Sequence, residues 1–398
     1  MFHAQPPHRR QWQRHMLGRD RQEVHRASTP LELFFDLIFV VAIAFNAAGL
    51  HHGIVENHVG SAVLSYCMQF AVIWWAWMGF TWFASAFDTD DVPYRILVFV
   101  QMAGALVIAA GIPAAFESFD FRAVTVGYLI MRVGLVSLWL RAGRANPDLR
   151  SATSRYAKGL AFCQLLWIGL LFAPKPWVLP LFFCFMVLEI AVPIWAEMRV
   201  KTPWHPEHIN ERFSLFTIIV LGESILATVN SIKNSVVADG LNFTGLSVIC
   251  AALVIVFSLW WLYFDKPEAE VDPHNMLTGF FWAYGHYFIF ASAAAVGVGL
   301  SVAVEHVSGS ANISRGMAQW AMALPVAAFL LSVWLVHLGR MKQSPARWLF
   351  PVTAALVLAS TTLPNAPLTV IATALVVAGL LAALLYRHYD ASALGHPH

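Results

Sequence analysis

The chain has 398 residues, of which 59% are hydrophobic and only 12% charged, with a mean hydropathy of +0.63. Soluble globular domains carry about 25% charged residues. The composition therefore excludes a soluble enzyme or nucleic-acid-binding domain, and the net charge of +2 carries less information than where the charges sit.

The first 28 residues are rich in Arg and His and contain no apolar core of the length a signal peptide needs. They read as a cytoplasmic tail. Twelve apolar segments follow, at roughly 30–50, 60–86, 94–116, 123–141, 158–173, 177–196, 211–231, 241–264, 276–304, 317–338, 346–363 and 366–387. A spanning helix needs about 20 mainly apolar residues. A membrane β-barrel would instead show short alternating strands. The fifth segment is short, and the eleventh and twelfth are divided only by Pro364-Asn365-Ala366-Pro367.

Charge tests the count. With the N-terminus inside and twelve spans, 20 Lys/Arg residues fall on the inner side and four on the outer: Arg122, Lys175, Lys233 and Arg315. The remaining one, Arg132, lies within a segment. This is the positive-inside bias, and it places both termini in the cytoplasm.

The first segment, "ELFFDLIFVVAI", and the seventh, "ERFSLFTIIVLGE", align at an offset of 179, pairing Glu32 with Glu211 and Phe34 with Phe213. The second ends in Phe87-Asp88 and the eighth in Phe264-Asp265, an offset of 177. The expected architecture is all-α: two six-helix repeats, 29–200 and 201–390, with a tail at 391–398. Six is even, so both repeats insert the same way round, as in some transporters. The polar stretch "EMRVKTPWHPEHINER" is the natural linker.

An ionisable residue at a helix centre in lipid costs roughly 2.5–3.5 kcal/mol on the translocon scale. Thr29-Pro30-Leu31-Glu32 reads as a capping box with Pro at the first helical position, which gives Thr29 and Glu32 a structural role. Asp36 lies one turn beyond and serves no cap. Glu223, in "IIVLGESILATV", lies near the midplane, and Arg212, Glu223 and Asn230 fall within about 20° of one another on the helical wheel. Arg132 cannot shed its charge and needs a counter-ion. Asp36, Glu189 and Glu223 are the deep acids that could supply it, and His286 is titratable. Excess buried carboxylate suits a proton or cation. Asp36, Glu223, Arg132, His286, Glu189 and Asn230 are thus the expected path residues, with Asp36 and Glu223 as successive stations. The structural alternative is that each charge is paired or hydrogen-bonded in place.

Asp88, Asp90, Arg95, His208, Glu211, Arg212 and Asp265 form an expected polar cluster at the cytoplasmic face. The acids of "FDTDD" suit either a hard cation or pairing with Arg95 and Arg141. His51, His52 and His58, with Glu56, match no standard metal spacing and read as a solvated loop. Cys67, Cys163, Cys184 and Cys250 all lie in apolar runs without a CxxC, so neither a disulfide framework nor a zinc site is indicated. Trp82, Trp177, Trp195 and Trp204 suit the interfacial belt, while Trp74, Trp75 and Trp77 sit deeper and need partners. No Walker A, HExxH or GxSxG motif is present, and no cofactor is expected.

"ELFFDLIFVVAI", "WWAWMGFTWFASAFDTDD" followed by Arg95, "HINERFSLFTIIVLGESI", "WWLYFD" and "YGHYFIF" together resemble the bacterial low temperature requirement protein A family. The resemblance covers most of residues 29–385, with Ser214 standing where Gly is expected. It implies a multi-pass protein of the bacterial plasma membrane, linked by name to growth in the cold. The first expectation for function is a secondary transporter or an ion- or proton-conducting protein, whose partners are the bilayer and protons, a cation or a small solute. The alternatives are a membrane-embedded enzyme or lipid-handling protein, or a sensor or scaffold.

Overall fold

A computed structural model of the chain describes residues 12–20, 23, 26–239, 243–265, 276–338, 348–363 and 367–394. The described residues form twelve α-helices and no strand: α1 Pro30–Val55, α2 Val59–Phe87, α3 Val92–Ser118, α4 Arg122–Ala145, α5 Arg150–Leu170, α6 Lys175–Glu197, α7 Pro206–Asp239, α8 Phe243–Phe264, α9 Met276–Ser308, α10 Arg315–Val333, α11 Leu349–Ser360 and α12 Pro367–Leu394. Nine of them are long and apolar enough to cross a membrane, counted over the described residues. Helices α5, α11 and α12 are not among the nine. Helix α5 begins earlier than its apolar segment and carries Arg150, Arg155 and Lys158 in its first turns. Residues 364–366, in the break before α12, lie outside the described residues.

Local chemistry sets the helix ends. The Thr29 N–H and hydroxyl donate to Glu32 Oε2 at 2.8 and 3.0 Å, and the Glu32 N–H donates back to Thr29 Oγ1 at 3.3 Å. This is the capping box read from the sequence. Asp91 caps α3 by accepting the Tyr94 N–H at 3.0 Å. Ser314 caps α10 by accepting the Met317 N–H at 3.3 Å.

On α1 the usual amphipathic logic is reversed. Phe34, Leu37, Val41 and Phe45 point outward, while Glu32, Asp36 and Asn46 are buried with Phe35 and Phe39. A lipid solvent requires this arrangement, because apolar side chains suit the outside and polar groups must find partners inside.

The chain packs as two compact units, one of residues 1–42 and 73–212, the other of 43–72 and 213–398. In the first unit, α3 packs on α4, α4 on α5 and α5 on α6. The α3–α4 crossing is set by glycine. A Cβ on Gly104 would lie 2.6 Å from the Gly127 carbonyl oxygen, and one on Gly134 would lie 2.7 Å from the Leu97 carbonyl oxygen. Small residues let helix backbones approach closely in the absence of a hydrophobic drive between helices. In the second unit α9 is buried along nearly its whole length and packs against α8 and α10, while α12 packs on α8 and α11. Ser224 of α7 donates to the Ala293 carbonyl of α9 at 2.9 Å.

Candidate functional site

The first unit holds a buried charge cluster at the beginnings of α1 and α7. Arg212 and Asp36 have no exposure to solvent. Arg212 Nη2 donates to Asp36 Oδ1 at 2.5 Å, and its Nε donates to Oδ2 at 3.2 Å. The indole N–H of Trp77 donates to the same Oδ1 at 2.7 Å. Glu32 uses its second oxygen here: Oε1 lies 3.1 Å from Arg212 Nη1 and 3.2 Å from His208 Nε2. The Arg212 Nη1 contact is close but poorly aligned for a hydrogen bond, so it acts as a charge contact. Glu32 is therefore both a helix cap and a counter-ion. Arg26 lies 4.0 Å from Glu32 and donates to the Ala84 carbonyl at 2.7 Å and to the Ser85 carbonyl. It thereby adds a charged donor to carbonyls at the C-terminal end of α2 and complements that end of the helix dipole. The two carboxylates are matched by two guanidinium groups.

Arg132 pairs with Glu189. Its Nη2 donates to both carboxylate oxygens at 2.8 Å, and the indole N–H groups of Trp75 and Trp167 add bonds at 2.9 and 3.1 Å. The Tyr128 ring lies 5.3 Å from the guanidinium carbon. The deep tryptophans Trp75 and Trp77 thus find carboxylates as their partners.

The acids after α2 divide among separate partners. Asp90 takes Arg95 Nε at 2.6 Å and Nη2 at 2.8 Å. Asp91 takes Arg141 Nη1 at 2.9 Å and the Arg14 N–H at 2.7 Å. Burial opposes ionisation of Asp91, but these bonds outweigh it and hold its carboxyl below the usual range. Asp88 accepts the Asp90 N–H at 3.1 Å. Burial, reinforced by the Glu32 charge, pushes Asp88 up to about 6. Glu211 accepts the Ser28 N–H at 3.2 Å. Among the described residues, no group of three or more His, Cys, Asp or Glu side chains is arranged to hold a metal.

In the second unit, Glu223 lies on α7, eleven residues beyond Arg212 and so about 16 Å further along the axis. It is buried, and no hydrogen bond or ion pair reaches it from the described residues. Asn230, on the same face, is exposed, as is Asp265 just past α8. His286 is fully buried. Its Nδ1 lies 2.8 Å from the Trp282 carbonyl and its Nε2 lies 3.2 Å from the Tyr263 hydroxyl. A carbonyl can only accept, so Nδ1 carries a proton, and in the neutral ring Nε2 accepts from the Tyr263 hydroxyl. The His337 ring stands edge-on to His286 at 5.1 Å, on a π-helical turn over Trp334–Leu338. His51 pairs with Glu305 at 3.0 Å and the exposed His52 with Glu56 at 3.3 Å, while His58 is exposed.

With this geometry in place, the family model for the bacterial low temperature requirement A protein (LtrA) matches residues 27–383. The chain belongs to the LtrA family. It is also similar to an uncharacterized protein of Rhizobium meliloti (strain 1021), 29% identical over 310 residues that cover 73% of each chain. The matched region of this LtrA protein begins one residue after Arg26, so it contains Glu32, Asp36, Arg132, Glu189, Arg212 and Glu223.

Sequence reasoning placed Arg212 at the membrane surface, and the structure makes it the counter-ion of Asp36. One signal was present. Asp36 and Arg212 each lie six residues past the first proline of their helices, Pro30 and Pro206, so they share a depth of about 9 Å. Arg26 had no such signal, because its carbonyl partners lie 58 and 59 residues away in the chain. Tyr263 and His337 were likewise not legible, since each reads as an ordinary residue of an apolar helix.

Proposed function

We propose that this LtrA protein is a secondary transporter or an ion- or proton-conducting protein in which Glu223 takes up and releases the transported or coupling proton or cation. One observation carries the reading. Among the carboxylates deep in the spans, Asp36 and Glu189 are engaged by arginine, whereas Glu223 is buried with no partner among the described residues. An unpaired acid at that depth is costly, and intramembrane ionisable residues of this kind mark substrate and ion pathways. The Arg212–Asp36 and Arg132–Glu189 pairs then serve as the fixed frame.

The proposed topology is twelve spans in two parallel six-helix repeats, with both termini on the cytoplasmic side of the bacterial plasma membrane. The charge bias of 20 to four supports it. The test is reconstitution of the purified full chain into liposomes with imposed pH, potassium and small-solute gradients. Flux above that of empty liposomes under at least one gradient is expected. No flux under any of them rejects the reading.

A further inference from the structure

The segment before α1 was read from the sequence as a tail, yet its described part is bonded across the first unit as a strap. The Gly18 N–H donates to Asn146 Oδ1 at 2.9 Å, and Asn146 Nδ2 donates back to the Met16 carbonyl at 2.7 Å. The Arg19 N–H donates to the Ala86 carbonyl at 2.9 Å, and Arg141 Nη2 donates to the Arg14 carbonyl at 2.9 Å. Met16 is 1% exposed. Ala86 and Asn146 stand at the ends of the apolar helices α2 and α4. The strap is therefore held at the ends of two candidate membrane spans.

Its outer face has an unusual composition for a solvated segment. Trp12 is 69% exposed and Leu17 61% exposed, on either side of the exposed Arg14. The neighbouring α4–α5 turn adds Arg144 and Arg150, both exposed. None of these three arginines has a carboxylate within ion-pair distance among the described residues, and Arg150 donates only Nε to the Gly143 carbonyl at 3.3 Å. Asp148, also exposed, is the acid of that turn. Tryptophan favours the membrane–water interface, and basic groups at that depth attract anionic headgroups.

We propose that the strap and the α4–α5 turn together form a binding site for anionic phospholipid. In it the phosphate is held by Arg14, Arg144 and Arg150, and Trp12 and Leu17 rest against the upper acyl chains. The partner is a lipid rather than a free phosphate, because the two large apolar side chains need an apolar partner. The inference is independent of the function proposed above.

Native mass spectrometry of the full chain, titrated with phosphatidylglycerol or phosphatidylcholine, tests it. Phosphatidylglycerol should be retained at lower added lipid. That preference should fall by about fivefold for each of Arg14→Gln, Arg144→Gln and Arg150→Gln, the size expected of one basic group at a membrane surface. Trp12→Ala should weaken retention of both lipids. A charge-matched control, Arg122→Gln with Lys175→Gln and Arg315→Gln, should keep the preference. Equal retention of the two lipids by the wild type would overturn the proposal, as would equal loss in the combined Arg14→Gln, Arg144→Gln and Arg150→Gln variant and its charge-matched control, or retention unchanged by Trp12→Ala.

Discussion

Arg212 and Asp36 face each other at equal depth on α7 and α1, both without solvent exposure, with Nη2 2.5 Å from Oδ1. This pair answers why a carboxylate lies one turn inside a lipid-facing helix: it neutralises an arginine that cannot lose its charge. Removing one partner of a buried pair leaves a stranded charge and costs about 3–5 kcal/mol, whereas removing both often costs little. Arg212→Met or Asp36→Asn alone should therefore lower stability by about that amount. The double variant should recover much of it in a chemical-denaturation double-mutant cycle. If the two losses simply add, the pair is not the unit described.

The α3–α4 crossing brings the two helix backbones together at Gly104. Its missing side chain leaves room for the Gly127 carbonyl, and a Cβ there would stand 2.6 Å from that oxygen and 2.8 Å from the Met131 nitrogen. The blocking atoms are backbone, so the helices themselves must part. Gly104→Ala should destabilise the protein by about 1–3 kcal/mol, the range for overpacking, whereas Gly169→Ala, with nothing within 4 Å of its Cβ position, should not. Thermal unfolding of the two variants side by side measures the difference.

Asp88 makes stability depend on pH in a direction opposite to a salt-bridged acid. Its carboxyl is pushed up to about 6 by burial, from an unperturbed 3.8. The folded state then holds the proton more tightly than the unfolded state. Its contribution to stability is greatest below about pH 4, falls as pH rises to about 6, and is flat above that, with a total change of at most about 3 kcal/mol. Asp88→Asn should flatten this part of the profile. An unchanged slope between pH 4 and 6 in the variant would show that the slope comes from other groups.

The fold was legible because lipid imposes a simple rule. Apolar runs of the right length gave the helices, and Thr29 and Glu32 gave the start of α1. The apolar segments in α5, α11 and α12 fall outside the nine candidate spans, which are counted over the described residues, and in α11 and α12 the described apolar stretches are the shorter ones. The partners of buried charges were less legible. Arg132 needs a counter-ion by its nature, but Glu189 lies 57 residues away and only packing brings the two together. Arg212 carries two roles that one sequence position cannot display, an exposed-looking place in "HINERF" and full burial against Glu32 and Asp36. The strap was hidden for a related reason. Its anchors are backbone groups of Met16, Gly18 and Arg19, which leave no mark in side-chain composition.

On the proposed function, Glu223, buried with no partner among the described residues, carries the proton or cation while the arginine-paired acids hold the frame. The most direct test is flux into proteoliposomes containing equal amounts of folded wild type, Glu223→Gln and Glu223→Asp, each matched for thermal stability. Glu223→Gln keeps the size of the side chain and removes its charge, so it should reduce flux at least about tenfold, a barrier change of about 1.4 kcal/mol, while unfolding at the wild-type temperature. Glu223→Asp should retain part of the flux. Wild-type flux in Glu223→Gln would contradict the account.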